Sequence, residues 1–230
     1  MPTTVVFDLH ETLVQLHPST AAVLGDVIGV EAERCRAAFQ AADLRLEQLR
    51  AAGTWPPADP LERWPAFYSV VLDALGLNGD GAAVAAALTD RFRDPHSYAP
   101  FAEIPDMLAA LASRDVRLGI LSNTDIDVGA VLSQHGLDAH FQDWVATFEH
   151  GIEKPEPGAF EFALDRLGAE PTSSWFVGDS VVNDVAPAAA LGMRTVLVDR
   201  AEASNGQASG VASHRVTDLR PLPALVAAGA

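Results

Sequence analysis

The sequence predicts an α/β protein: a parallel sheet packed between helices in a three-layer core, with an α-helical cap domain inserted after the first strand. Three observations predict it. Short apolar runs ending in a polar residue alternate with helical patterns of about 10–12 residues, as βαβ units do. The block 15–96, between the first and second of those runs, reads as helix almost throughout. Of the 230 residues, 49% are hydrophobic and 20% charged, enough for a buried core and incompatible with a disordered chain.

The first segment, TTVVFD, ends in Asp8 and reads as a buried strand of a parallel sheet. Similar runs follow: VRLGILSN at 116–123, SSWFVGDS at 173–180 and MRTVLVD ending at Asp199, with WVATF at 144–148 a weaker candidate. Helical patterns fill the intervals at 103–114, 126–135, 157–168 and 182–192. Each crossover is expected to be right-handed. Inside the insertion, helices are predicted over 18–28, 31–52, 60–76 and 80–93, broken at TWPPADP (54–60), where proline removes a backbone donor. The predicted domains are therefore a core of 1–14 with 97–230, and a cap of 15–96. The Ser/Gly/Ala-rich stretch 201–213 reads as a surface loop.

The formal net charge is −16, so a polyanion is repelled at long range and nucleic acid is not expected as a partner. Small anions remain open, because a local cation can capture them against a negative overall field. No apolar run approaches the roughly 20 residues that span a bilayer, so no membrane association is expected. MPTTVVFDLH lacks the basic start of a signal peptide. The single cysteine, Cys35, can form no internal disulfide, which suits a reducing cytoplasm. A monomer or homodimer is expected. Of the 15 basic residues, Lys154 is the only lysine. A chain that uses arginine everywhere else suggests, at this position, a need for a compact point charge.

In open α/β sheets, ligands bind beyond the carboxyl ends of the strands. Those ends carry Asp8, Ser122-Asn123 and Asp179, with Asp184 following, while Lys154 lies in a loop before a helix. Any one of these residues could be a helix N-cap. Four such segments in one order are much less readily explained that way.

In these segments, FDLHETLV (7–14), ILSNTD (120–125), EKPEPGAF (153–160) and VGDSVVND (177–184), the chain resembles the haloacid dehalogenase (HAD) superfamily, in its class with a helical cap after the first strand. The resemblance implies a Rossmann-like core and hydrolase activity, most often on a small phosphorylated metabolite. It implies that Asp8 attacks phosphorus and forms an aspartyl-phosphate that water hydrolyses, so that one difficult step becomes two. It implies Mg²⁺ held by Asp8, Asp179 and the backbone carbonyl of His10, with Asp184 on a metal-bound water or behind it. Ser122 and the amide of Asn123 would receive phosphoryl oxygens, Lys154 would neutralise nucleophile and phosphoryl group, and Thr12 would orient Asp8 or the leaving group.

One position departs from the phosphatases of that superfamily, which read Asp-x-Asp. Here the second Asp is His10, and the glycine that usually follows is Glu11. Histidine can serve as acid and base, but Lys154 and a metal oppose protonation of its ring, and slow turnover is expected. Glu11, one residue further along, is expected to point elsewhere. Metal-free haloacid dehalogenases lack the acid matching Asp179. Phosphonate-cleaving relatives use a cap lysine, and residues 15–96 contain none. Three readings stand: an unusual Mg²⁺-dependent phosphatase, a dehalogenase-like hydrolase acting on a halogenated metabolite, or a weakened binding protein. In the cap, Arg45, Arg50, Trp55, Trp64 and Tyr68 are candidate substrate contacts, although solvated faces and helix packing explain them as well. Cys35 reads as a packed hydrophobe.

Overall fold

The structure, a computed structural model, describes residues 3–55, 62–200 and 211–229. It divides into two compact units, Met1–Gln15 with Tyr98–Ala230, and Leu16–Ser97. The strands are β1 (Thr4–Phe7), β2 (Val14–Leu16), β3 (Tyr98–Pro100), β4 (Arg117–Ser122), β5 (Asp143–Ala146), β6 (Ser174–Gly178), β7 (Arg194–Val198) and β8 (His214–Val216). The helices are α1 (Thr20–Ile28), α2 (Ala32–Ala51), α3 (Arg63–Ala74), α4 (Gly81–Arg93), α5 (Ile104–Ala112), α6 (Val128–Ser133), α7 (Pro157–Arg166), α8 (Ala186–Ala190) and α9 (Leu222–Ala228).

The first unit is the α/β one. Its sheet runs β5-β4-β1-β6-β7-β8, every pair parallel. All four residues of β1 are buried, as a central strand covered on both faces requires. Phe7 sits opposite Ile120 of β4 and Val177 of β6, so Asp8, Ser122 and Asp179 emerge at one edge. That edge is also where the strand order reverses direction about β1, the place where such sheets bind ligands. A separate two-stranded sheet pairs β2 with β3.

Helical periodicity explains the layers. α5 buries Ile104, Met107, Leu108 and Leu111, an i, i+3, i+4, i+7 stripe, and α7 buries Ala159, Phe160, Ala163 and Leu164, an i, i+1, i+4, i+5 stripe on one face. Proline stands in the first turn of both, where no backbone donor is lost. The α7 stripe packs with Val6, Leu121 and Phe176 of the sheet. Gly119 permits that packing: a Cβ there would lie 2.4 Å from Leu167 Cδ1.

The second unit carries α1 to α4 and has its own core, in which Leu24, Cys35, Tyr68, Val71 and Leu88 are buried. Ser19 caps α1 by accepting from the Ala22 amide, and Gly29 ends it at φ 70°. Among the described residues no helix is long and apolar enough to cross a membrane.

The structure differs from the sequence reading in three places, the first being the paired strands β2 and β3, which no sequence pattern announced. The pattern at 182–192 is not one helix: a π-helical turn at Val181–Val185 precedes α8. The C-terminal stretch carries β8 and α9 as further elements. Of the loops read from sequence, 56–60 and 201–210 lie outside the described residues.

Candidate active site

Asp8 follows β1 directly, and its amide donates to Val177 O at 2.8 Å, which ties the strand end to β6. Lys154, in the loop before α7, is 4% exposed, and its Nζ donates to Asp8 Oδ1 at 2.7 Å and to Asp184 Oδ1 at 2.6 Å. Ser122, at the end of β4, donates its hydroxyl to the same Asp8 oxygen at 3.3 Å. Oδ1 is thus held from two sides, while Oδ2 has no hydrogen-bond partner among the described residues.

Asn123 builds the lysine loop. Its Oδ1 accepts from the Lys154 amide at 2.9 Å and the Thr147 hydroxyl at 3.0 Å, and its Nδ2 donates to Lys154 O at 2.8 Å. Its side chain is therefore a brace for Lys154. Asp184 sits on the π-helical turn. Ser180 begins that turn by accepting from the Asn183 amide at 3.1 Å, and its own amide donates to Asp184 Oδ2 at 3.0 Å. Gly178 makes the approach possible, since a Cβ there would meet Asp184 Cγ at 2.5 Å.

Asp8, Asp179 and Asp184 offer carboxylate oxygens that all lie within 4.8 Å of one another. Three carboxylates around one ammonium leave an excess of negative charge. Asp179 is exposed at the rim, yet its carboxyl is pushed well up, by lost hydration first and then by Asp8 and Asp184. Asp184, almost fully buried, is pushed up to about 6 by burial, with Lys154 opposing and Asp8 adding. Burial alone lowers the Lys154 pKa, and Asp184 and Asp8 more than offset it, so the ammonium stays charged. An all-oxygen donor set with surplus charge fits a hard divalent cation such as Mg²⁺.

The His10 ring stands 3.4 Å from the Thr124 hydroxyl and tilts over Tyr98, centroids 5.0 Å apart. Burial lowers its pKa, Lys154 lowers it further and Asp8 opposes, so the ring is neutral at pH 7. Glu11 is exposed, and its side chain makes no hydrogen bond or ion pair among the described residues. It takes up φ 55°, and its carboxyl exchanges charge effects with Asp8, Asp179 and Arg200. Thr12 is fully buried, and its hydroxyl has no hydrogen-bond partner among the described residues, so it makes no bond to Asp8.

In the helical unit, Tyr68 is a core residue and Trp64, 57% exposed, stacks on it with centroids 6.3 Å apart. Trp55 is half-buried and Arg45 donates to Gln48 at 3.1 Å. The Arg50 side chain lies outside the described residues. Sequence reasoning missed Thr124, Tyr98 and Arg200 around the turn after β1. For Arg200 a signal existed, since it lies just beyond the carboxyl end of β7, on the ligand edge of the sheet.

A carboxylate beside a buried ammonium, with two further carboxylates at the carboxyl edge of a parallel sheet, defines a hydrolase of the doubly wound α/β class. The chain belongs to the haloacid dehalogenase-like hydrolases, whose family model matches residues 2–192. It is 32% identical over 218 residues to the phosphoserine phosphatase of Thermus thermophilus, covering 85% of this chain and 88% of that one. It is 24% identical over 225 residues to (S)-2-haloacid dehalogenase 1 of a Pseudomonas species, covering 96% and 95%. The fold is shared with a Bacillus subtilis HAD hydrolase solved bound to magnesium, at TM-score 0.77 and 18% identity over 98% of both chains.

Proposed function

We propose that the chain is a Mg²⁺-dependent phosphatase acting on a small phosphorylated metabolite through an aspartyl-phosphate on Asp8. The observation that carries this reading is Asp179 standing within reach of Asp8 and Asp184. A dehalogenase that works without metal has no use for the extra carboxylate charge, whereas a site for a cation and a phosphate needs it. The likeness to a phosphoserine phosphatase over most of both chains points the same way.

The residues divide the work. Asp8 Oδ2, unencumbered by hydrogen bonds, attacks phosphorus, the Oδ2–P bond forms, and the bond from phosphorus to the ester oxygen breaks. Lys154 keeps Oδ1 oriented and balances negative charge as the phosphoryl group arrives. The Ser122 hydroxyl, which rests on Asp8 Oδ1, is placed to turn to a phosphoryl oxygen. Asp8, Asp179 and the His10 carbonyl would hold Mg²⁺, with Asp184 behind them, and the ion would supply cover for anion attacking anion. A neutral His10 accepts a proton from the water that hydrolyses the aspartyl-phosphate. The same neutrality makes it a poor donor to the leaving oxygen, so good leaving groups are favoured. The helical unit Leu16–Ser97 serves as the substrate-selecting cap.

A second reading, release of halide from a 2-haloacid, draws on the missing carboxylate at position 10 and on the dehalogenase relative. Hydrolysis of p-nitrophenyl phosphate with Mg²⁺ or with EDTA, beside an Asp8→Asn control, separates the two. Turnover that needs both Mg²⁺ and Asp8 supports the phosphatase. Halide release in excess EDTA, with no phosphate hydrolysis, replaces it with the dehalogenase.

A further inference from the structure

The turn that carries the candidate nucleophile is short and unusual. Leu13 and Val14 amides donate back to Leu9 O at 2.9 and 3.0 Å, and the Glu11 amide donates to Val14 O at 2.8 Å. Glu11 sits in the left-handed region at φ 55°, where a side chain costs about 1–2 kcal/mol relative to the right-handed region. The geometry turns two consecutive carbonyls, Glu11 O and Thr12 O, toward the same place. Unpaired, these acceptors would leave the turn free to reopen.

Arg200 meets both of them. Its Nε donates to Glu11 O at 3.1 Å and one terminal nitrogen donates to Thr12 O at 2.7 Å. The other terminal nitrogen donates to Glu103 Oε1 at 2.8 Å. The guanidinium carbon lies 3.4 Å from the centroid of the Phe101 ring. Phe101 belongs to the same assembly, because its amide donates to Leu13 O at 3.1 Å. Each edge of the planar fork is thus in use and one face is stacked. An ammonium could not reproduce that arrangement, because it lacks the spacing and the plane.

We propose that Arg200 is a positioning residue for the nucleophile turn, acting on Asp8 and on the His10 carbonyl through the Glu11 and Thr12 carbonyls. It is no catalytic group, since it touches none of the candidate reacting atoms. The proposal rests on the reading of Asp8 as the nucleophile for its effect on rate, but its effect on the turn stands apart from any activity.

The test is amide hydrogen exchange on the full chain, comparing wild type with Arg200→Lys and with Glu103→Gln, which frees one anchor of the fork. The reporters are the amides of Glu11, Leu13 and Val14, with Val5–Phe7 of β1 as the internal reference. The expected result is exchange about tenfold faster at the three turn amides in Arg200→Lys, with the β1 amides unchanged, and a smaller effect in the same place for Glu103→Gln. On p-nitrophenyl phosphate, kcat is expected to fall about tenfold with KM within about twofold, less than the roughly hundredfold that an ångström of misplacement can bring. Unchanged turn exchange overturns the proposal. Equal acceleration in β1 and the turn overturns it too, as a general loss of stability. A wild-type protein without phosphatase activity defeats the phosphatase reading alone, since the exchange contrast decides for or against Arg200 by itself.

Discussion

At the scale of residues, the proposed mechanism turns on the imidazole of His10 in the acid/base position. The His10 ring is held neutral by burial and by Lys154, against the pull of Asp8. A neutral imidazole can take a proton from water, but the single N–H it carries is too weakly acidic to be given up to a leaving oxygen. A carboxyl at the same place could be recharged with a proton between the two half-reactions. His10→Asp is therefore expected to raise kcat on an aryl phosphate about tenfold or more, with a larger gain on an alkyl phosphate, whose leaving oxygen needs the proton more. Equal rates in a folded variant that still responds to Mg²⁺ count against an acid/base position there. The acidic cluster allows a test without turnover. Three carboxylates within 4.8 Å leave more negative charge than Lys154 balances. Mg²⁺ at 100 times its Kd stabilises the folded chain by about 2.7 kcal/mol, read as a rise in Tm over EDTA. Asp179→Asn is expected to lose most of that rise, and an undiminished rise places the ion elsewhere.

At the scale of elements, the legible parts are those with enough residues to show a period. The runs around β1, β4, β6 and β7 were plain as apolar segments ending in polar residues, and α5 and α7 as stripes. The strands β2, β3 and β8 have three residues each, too few for any alternation to register. The π-helical turn was hidden for a different reason. Its residues, VVNDV, carry a helical pattern in sequence, and the close packing of Asp184 against Gly178 shows only in the fold. That contact gives the element its prediction. A methyl at Gly178 would lie 2.5 Å from Asp184 Cγ, so Gly178→Ala must push the turn outward or bend β6. The expected loss is about 1–3 kcal/mol of stability. Because Asp184 is one of the two anchors of Lys154, the variant is also expected to lose most of its activity and its Mg²⁺-dependent rise in Tm. A fully active Gly178→Ala protein is incompatible with Asp184 acting from its present position.

At the scale of the molecule, the strand ends made Asp8, Ser122, Asp179 and, just beyond, Asp184 readable, because one rule of sheet topology brings them together, while Lys154 was readable as the only lysine. Arg200 was not readable in the same way. In a chain with a single lysine, arginine is the default surface cation, so its residue type carries no signal and only its place just beyond β7 does. Only the fold shows that it joins segments far apart in sequence: the turn after β1, the residue before α5, and, through Glu103, the Leu219 amide at 3.4 Å. That junction makes stability depend on pH. The Glu103 carboxyl is nearly buried, which alone would raise its pKa, but the bonds from Arg200 more than offset this and hold it below its ordinary 4.5. The carboxylate is therefore bound more tightly in the folded chain than the proton is. Its contribution is complete above the unfolded pKa of 4.5 and is lost as pH falls through the lower folded value. Glu103→Gln, which cannot carry the charge, is expected to be less stable than wild type by about 1.5–3 kcal/mol at pH 7, the usual worth of a hydrogen bond to a charged group. The two proteins should draw together below pH 4.5, as wild type loses the same interaction to protonation. Urea unfolding of both across that range reads the difference directly. A gap that stays constant with pH would mean that Glu103 stabilises the junction by packing alone, and that the Arg200 fork is anchored by its carbonyls and by Phe101.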